Sequence, residues 1–277
     1  MNGQSGRDRI RLGEDEATNE GSPLLHTNPQ KGNRRDKLQQ HMNAHVSRAW
    51  ADMALLGCYV ITGLLDSSAI SIWGAFVSMQ TGNTVYLGLG VVRPSESDRW
   101  IKSVISIASF CLGSTFFSNF HRYFTPRKRW VLVVSFTIQL LIIIMAALIV
   151  EFGGSTDNGL QWQVVLPLMS VAFQSSGQAV ASRVLEQGSF TSVVLTSTYC
   201  DLFSDQNLLS GIGQNPTRNR RVAAPALLLL GAVFGGLWSE SRYGMAAALW
   251  TAVILKFLVI SAWVVWPAES NLDDDSL

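Results

Sequence analysis

The chain has 277 residues, of which 48% are hydrophobic and only 15% charged, a balance that belongs to membrane proteins rather than to soluble domains. Its net charge of +1 supplies no field to attract nucleic acid or an acidic partner. Cys58, Cys111 and Cys200 fall in apolar or membrane-adjacent segments, with no CxxC pair and no His nearby. They are expected to be buried free thiols, not a disulfide framework or a zinc site.

Residues 1–48 are polar, poor in aromatics and expected to form a disordered cytosolic tail. No basic-then-apolar signal opens them, so the first transmembrane helix is expected to direct insertion. Within this tail "EGSPLL" places Glu20 four residues before Leu24 and Leu25. That is the acidic dileucine pattern read by clathrin adaptors in endosomal or vacuolar sorting, although so short a pattern also arises by chance.

Apolar segments near the ~20 residues of a bilayer-spanning helix then predict helices at 51–73, 101–121, 130–150, 161–182, 222–240 and 245–266. The third, "WVLVVSFTIQLLIIIMAALIV", carries no charge and opens on Trp130. Trp162, Trp238, Trp263 and Trp266 lie near other predicted ends, as an aromatic belt would place them. Residues 268–277 are expected to be an acidic cytosolic tail.

Segments 76–92 and 189–209 are too polar for a firm span. If neither crosses, Arg34, Arg35, Lys37 and Arg48, the Arg122–Arg129 loop, and Arg183, Arg218, Arg220 and Arg221 all share one side. The positive-inside rule therefore prefers six crossings with both termini cytosolic, with seven as the alternative.

The two awkward segments resemble each other. Gly63 precedes Thr81-Gly82-Asn83 much as Gly177 precedes Thr196-Ser197-Thr198, about 115 positions later. Two units of three helices and one polar break would be inverted copies, a plan used by secondary transporters. Gln80, Thr81, Asn83 and Thr84 can satisfy broken backbone at membrane depth, and Gly82 tolerates unusual φ. The cluster is expected to be a broken or re-entrant element; an ordinary interfacial loop is the alternative.

Asp66 lies inside the first helix and Lys256 near the middle of the last. Such a charge costs ~2.5–3.5 kcal/mol on insertion scales, so each must face protein or water. Three readings stand: a mutually neutralising structural pair, an outward-snorkelling Lys256, or Asp66 as a proton or cation site with Lys256 as its counter-charge or as an anchor for an anionic solute. Gln174, Ser175, Ser176 and Gln178 form a second polar patch that reads either as solute site or as glue between helices. Arg183 and Glu186 read as an exposed pair one turn apart, and Ser109/Gly113 and Gly231/Gly235 as close-packing motifs.

The stretch "GLLDSSAISIWGAFVSMQTGNTVYLGLG" resembles the signature of the YoaK-like family of uncharacterised membrane proteins, which carries domain of unknown function 1275. Its Gly-x-x-Asp, Phe, Thr-Gly-Asn and Leu-Gly elements fall here on Gly63, Asp66, Phe76, Thr81, Gly82, Asn83, Leu87 and Gly88. The resemblance covers about residues 50–267 and implies a multi-pass membrane protein; the long polar tail outside it looks like that of a fungal member. The second half departs from the pattern, with Thr196-Ser197-Thr198 where the family shows Thr-Gly.

The expected architecture is an all-α integral membrane protein of about six helices with two broken segments and an inverted three-plus-three repeat. The expected function is a small-solute permease. Asp66 would bind a cation or titrate, and Gln80, Thr81, Gly82, Asn83, Gln174, Gln178 and Lys256 would complete a mid-membrane site. The alternative is a scaffold or sorting protein acting through its tail. No cofactor and no enzyme activity is expected: His121 is the only histidine beyond the tail, and no metal cluster, nucleophile elbow or phosphate loop appears. Either function suits the plasma membrane or a vacuolar or endosomal one.

Overall fold

The computed structural model describes residues 34–125, 127–154, 159–185 and 195–265. The described residues form nine helices and no strand: α1 (Arg34–Asn43), α2 (Arg48–Ile72), α3 (Gln80–Val92), α4 (Arg99–Tyr123), α5 (Arg129–Phe152), α6 (Trp162–Val184), α7 (Thr196–Phe203), α8 (Pro216–Glu240) and α9 (Gly244–Val265). Six of them, α2, α4, α5, α6, α8 and α9, are long and apolar enough to cross a membrane, so the protein is an integral membrane protein in contact with lipid.

The short helices fall well below that length. α3 has 13 residues and α7 has 8. At about 1.5 Å per residue they extend roughly 20 and 12 Å, against a hydrocarbon core of about 30 Å. The described helices thus give six candidate crossings, and neither short helix is one of them.

Residues 34–43, expected to be disordered, are instead helical as α1. Main-chain bonds hold the following strand-like stretch: Val46 N–H donates to Arg127 O and Arg129 N–H to Ala44 O, each at 3.1 Å. His41 Nε2 donates to Val264 O at 2.8 Å. α1 is thereby tied to the start of α5 and the end of α9. The sorting pattern at Glu20, Leu24 and Leu25 lies outside the described residues, as do Glu186, Trp266 and the acidic C-terminal stretch.

α2 and α6 form the centre, each buried over most of its length, whereas α8 is mostly open to lipid. α2 packs on α8 and on α9; α6 packs correspondingly on α4 and on α5. α3 lies along α4 as α7 lies along α8, and α5 meets α9. Exchanging the set α2, α3, α4, α5 for α6, α7, α8, α9 therefore leaves these pairings unchanged. With three spans in each set, the second set begins on the opposite face from the first.

The α2–α8 contact is backbone against backbone. A methyl group built on Gly63 would sit 2.0 Å from Leu228 O, and one on Gly231 would sit 2.1 Å from Val60 O. Ser68 Oγ adds a bond to Gly235 O at 3.1 Å. Gly113 does the same for α4 against Phe173 O of α6. The small-residue motifs are packing devices, as their spacing implies.

Two expectations about burial need correction. Cys58 is buried, but Cys111 and Cys200 are exposed. Trp263 is not part of an interfacial belt: its ring is fully buried and packs against Phe136 at 6.1 Å between centroids.

Candidate functional site

α2 ends at Ile72 with Trp73 as its cap, and Gly74 follows at φ 81°, the left-handed conformation that closes a helix and turns the chain. The next residues fold back beside α2. Asp66 Oδ1 accepts the N–H groups of Val77 and Ser78, both at 2.9 Å, and Oδ2 accepts the Ser78 hydroxyl. Asp66 lies six residues before the end of α2, so α3 starts about 9 Å inside that end, at 1.5 Å per residue. Gly74 and Arg99 of α4 are neighbours, and so are Gly90 and Trp100. The segment enters and leaves on one face: it is re-entrant.

Asn83 locks the same turn from the other side. Its Oδ1 accepts Phe76 N–H at 3.0 Å, and its Nδ2 donates to Phe76 O at 2.8 Å. Nδ2 also reaches Gln80 Oε1 at 2.8 Å, while Ser106 Oγ of α4 donates to Phe76 O at 2.7 Å. Gln80 Nε2 donates to Val77 O at 3.2 Å. Gly82 faces the Phe76 ring, which a methyl group would approach to 2.7 Å. Asp66, Gln80 and Asn83 thus serve the buried backbone polar groups that lipid would leave unpaired.

A cavity of about 500 Å³ opens where the starts of α3 and α7 meet. Thr81, Thr196, Tyr199 and Arg183 supply much of its polar wall, and Phe110, Val180 and Leu228 part of its apolar wall. Thr81 and Thr196 are exposed, and neither hydroxyl has a partner among the described residues. They stand 115 positions apart, the spacing of the repeat. The third residues of the two triplets, Asn83 and Thr198, are both fully buried, and Thr198 bonds to Tyr59 of α2.

A second polar cluster occupies the core between α2, α5, α6 and α9. Lys256 Nζ donates to Gln139 Oε1 at 2.8 Å and to Gln178 Oε1, and it lies 5.1 Å from the centre of the Phe136 ring. Gln178 Nε2 passes the chain on to Thr62 Oγ1 at 3.2 Å. Lys256 is fully buried, so it does not snorkel. Its partners are amide oxygens, and Asp66 is not among them. The expected Asp66–Lys256 pair does not form, because each charge finds nearer dipoles: main-chain N–H groups for Asp66, glutamine carbonyls for Lys256.

Of the residues singled out in the sequence, Gln80, Thr81 and Gly82 therefore line the cavity, with Gln80 already engaged by its neighbours. Asp66 and Asn83 stand behind that wall, and Gln178 and Lys256 belong to the separate core cluster. Gln174 is buried with its Nε2 on Ser175 Oγ at 3.0 Å. Tyr199 and Gln139 went unselected, Arg183 was read only as half of an exposed pair, and Thr196 only as part of the repeat. Thr196 was signalled by its register with Thr81, and Gln139 by being the one amide in a run otherwise apolar or hydroxylic.

Among the described residues no three His, Cys, Asp or Glu side chains gather as metal ligands. No curated protein and no solved structure matches the chain. A family model described as a protein of unknown function, DUF1275, matches residues 54–262. That stretch runs from the start of the α2 span to the last turn of α9 and includes both short helices and the cavity between them: the chain belongs to the DUF1275 family.

Proposed function

We propose that the protein is a small-solute permease, not an enzyme, and that the solute binds in the cavity between α3 and α7. The observation that carries this is the convergence of two half-length helices, one from each half of the chain, on one cavity with an unpartnered threonine hydroxyl from each. Short helices that meet inside a bundle of inverted halves are the usual setting for a transporter site. Asp66 is then a positioning residue that holds α3 at depth, not an ion site. The basic residues at the ends of α4, α6 and α8 favour cytosolic termini, in the plasma membrane or a vacuolar or endosomal membrane.

Alternating access can be tested without knowing the solute. Thr81→Cys and Thr196→Cys, each in a chain lacking Cys58, Cys111 and Cys200, are exposed in sealed vesicles to a membrane-impermeant thiol reagent from either face. A permease should let each position react from both faces. Reaction from one face only, or from neither, would sink the proposal and favour a scaffold or sorting protein working through its N-terminal tail.

A further inference from the structure

The charge on the cavity wall indicates what kind of solute it takes, an inference that rests on the cavity being the binding site. Arg183 is the one charged side chain among the described residues that line it. It has no hydrogen-bond or ion-pair partner among the described residues. No carboxylate stands on the described wall. Asp66 sits behind Ser78 with its oxygens taken up by Val77 and Ser78. A guanidinium that shares a cavity with free hydroxyls, and with no carboxylate among the described lining residues, is a receptor for an anion.

The setting of the hydroxyls adds to this. Thr81 is the second residue of α3 and Thr196 the first of α7. Both helices therefore turn their N-terminal ends, where main-chain N–H groups and the helix dipole favour negative charge, toward the space that Arg183 lines. Phe110, Val180 and Leu228 supply part of an apolar wall beside these groups. We propose that the cavity takes a small organic anion, its carboxylate held by Arg183 with Thr81 and Thr196, and its carbon skeleton against Phe110, Val180 and Leu228.

The test uses the purified full chain and two matched pairs of probes, acetate with acetamide and benzoate with benzamide, with thermal stabilisation and equilibrium binding as readouts. Saturable stabilisation by a carboxylate, absent with its amide, is the expected result. Arg183→Gln should weaken carboxylate binding about tenfold or more, with Arg183→Lys in between, as a lost bidentate contact predicts. The double variant Thr81→Val with Thr196→Val should weaken it as well, which keeps the test decisive if Arg183→Gln fails to fold. Equal stabilisation by amide and carboxylate, binding by neither carboxylate, or unchanged affinity in the folded variants would overturn the anion assignment. The two-sided labelling assay is independent of solute charge. Charge-selective binding with one-sided labelling would keep the anion site and reject the permease; the reverse pattern would keep the permease and reject the anion.

Discussion

Ser78 gives Asp66 two bonds at once, one from its N–H at 2.9 Å and one from its hydroxyl. One carboxylate on a long helix thereby fixes the start of a short one, and the cavity wall depends on that junction. Asp66→Ala would strand the buried N–H groups of Val77 and Ser78, at about 1–3 kcal/mol for each group left unpaired. Asp66→Asn keeps an acceptor and should lose less. Thermal unfolding of the two variants in detergent checks the order, and equal loss in both would refute the junction as the source.

Lys256 should behave as the keystone of a different cluster. Lys256→Met is expected to destabilise by leaving Gln139 and Gln178 oxygens unpaired, again at about 1–3 kcal/mol each. Adding Gln139→Leu and Gln178→Leu should recover much of that loss, because a well-packed apolar replacement often equals a buried polar network. If the triple variant is no more stable than Lys256→Met alone, the amide oxygens are not what the ammonium serves.

Asp66 and Lys256 share no partner, so their effects should add. Asp66→Asn and Lys256→Gln, singly and together, are expected to give unfolding free energies additive to within about 0.5 kcal/mol. Restored stability in the double variant would instead reveal an ion pair.

Gly231 and Gly236 lie five residues apart on α8 but should respond in opposite ways. An alanine methyl at Gly231 meets Val60 O at 2.1 Å, whereas nothing stands within 4 Å of Gly236. Gly231→Ala is expected to force α2 and α8 apart and cost on the order of 1–3 kcal/mol, the range of core overpacking. Gly236→Ala should be neutral or slightly stabilising, since alanine is the better helix former. Melting temperatures in detergent discriminate the two, and equal effects would contradict the close approach.

Asp205, in the loop before α8, gives the protein a local acid sensitivity. The Asn207 N–H at 2.8 Å, then the Asn215 amide, hold its carboxyl below the usual carboxylate range, with Arg221 contributing at 3.8 Å. A depressed folded-state pKa means the stabilisation is present above the ordinary carboxylate range and lost as pH falls through the lower folded value. Hydrogen-exchange protection factors, taken against the intrinsic rate at each pH, should therefore fall across residues 205–215 on acidification below about pH 4, the ordinary aspartate range. In Asp205→Asn that pH response should vanish; its persistence would assign the response to another group.

The six spans were legible because long apolar runs with at most one or two charges have few other uses. α8 starts at Pro216, ahead of the predicted 222, because Arg218, Arg220 and Arg221 are helical yet lie before the apolar run by which the span was read. A local sign was present: Asn215 caps the helix by accepting Arg218 N–H at 2.9 Å, with Pro216 directly after it. The re-entrant nature of 76–92 was visible in its polar cluster, but the partner of Asp66 was not. Side-chain charges suggest other side chains as partners, and here the partner is main chain, which every sequence contains at every position. Arg183 was read as half of an exposed pair with Glu186 for a related reason: its distance along the chain from Thr81 hides that α3 and α6 face one cavity.

The buried charges also have an order in time. Asp66 meets its partners 11 and 12 residues downstream, so they leave the ribosome almost with it. Lys256 arrives with the last span, and its partners lie 78 and 117 residues upstream, already made. Neither charge has to wait in the lipid for a helix still to be synthesised. The glycine face of α2 does wait, since Ser68 meets Gly235 across 167 residues. Small apolar surface tolerates that delay in a bilayer, and an unpaired carboxylate would not.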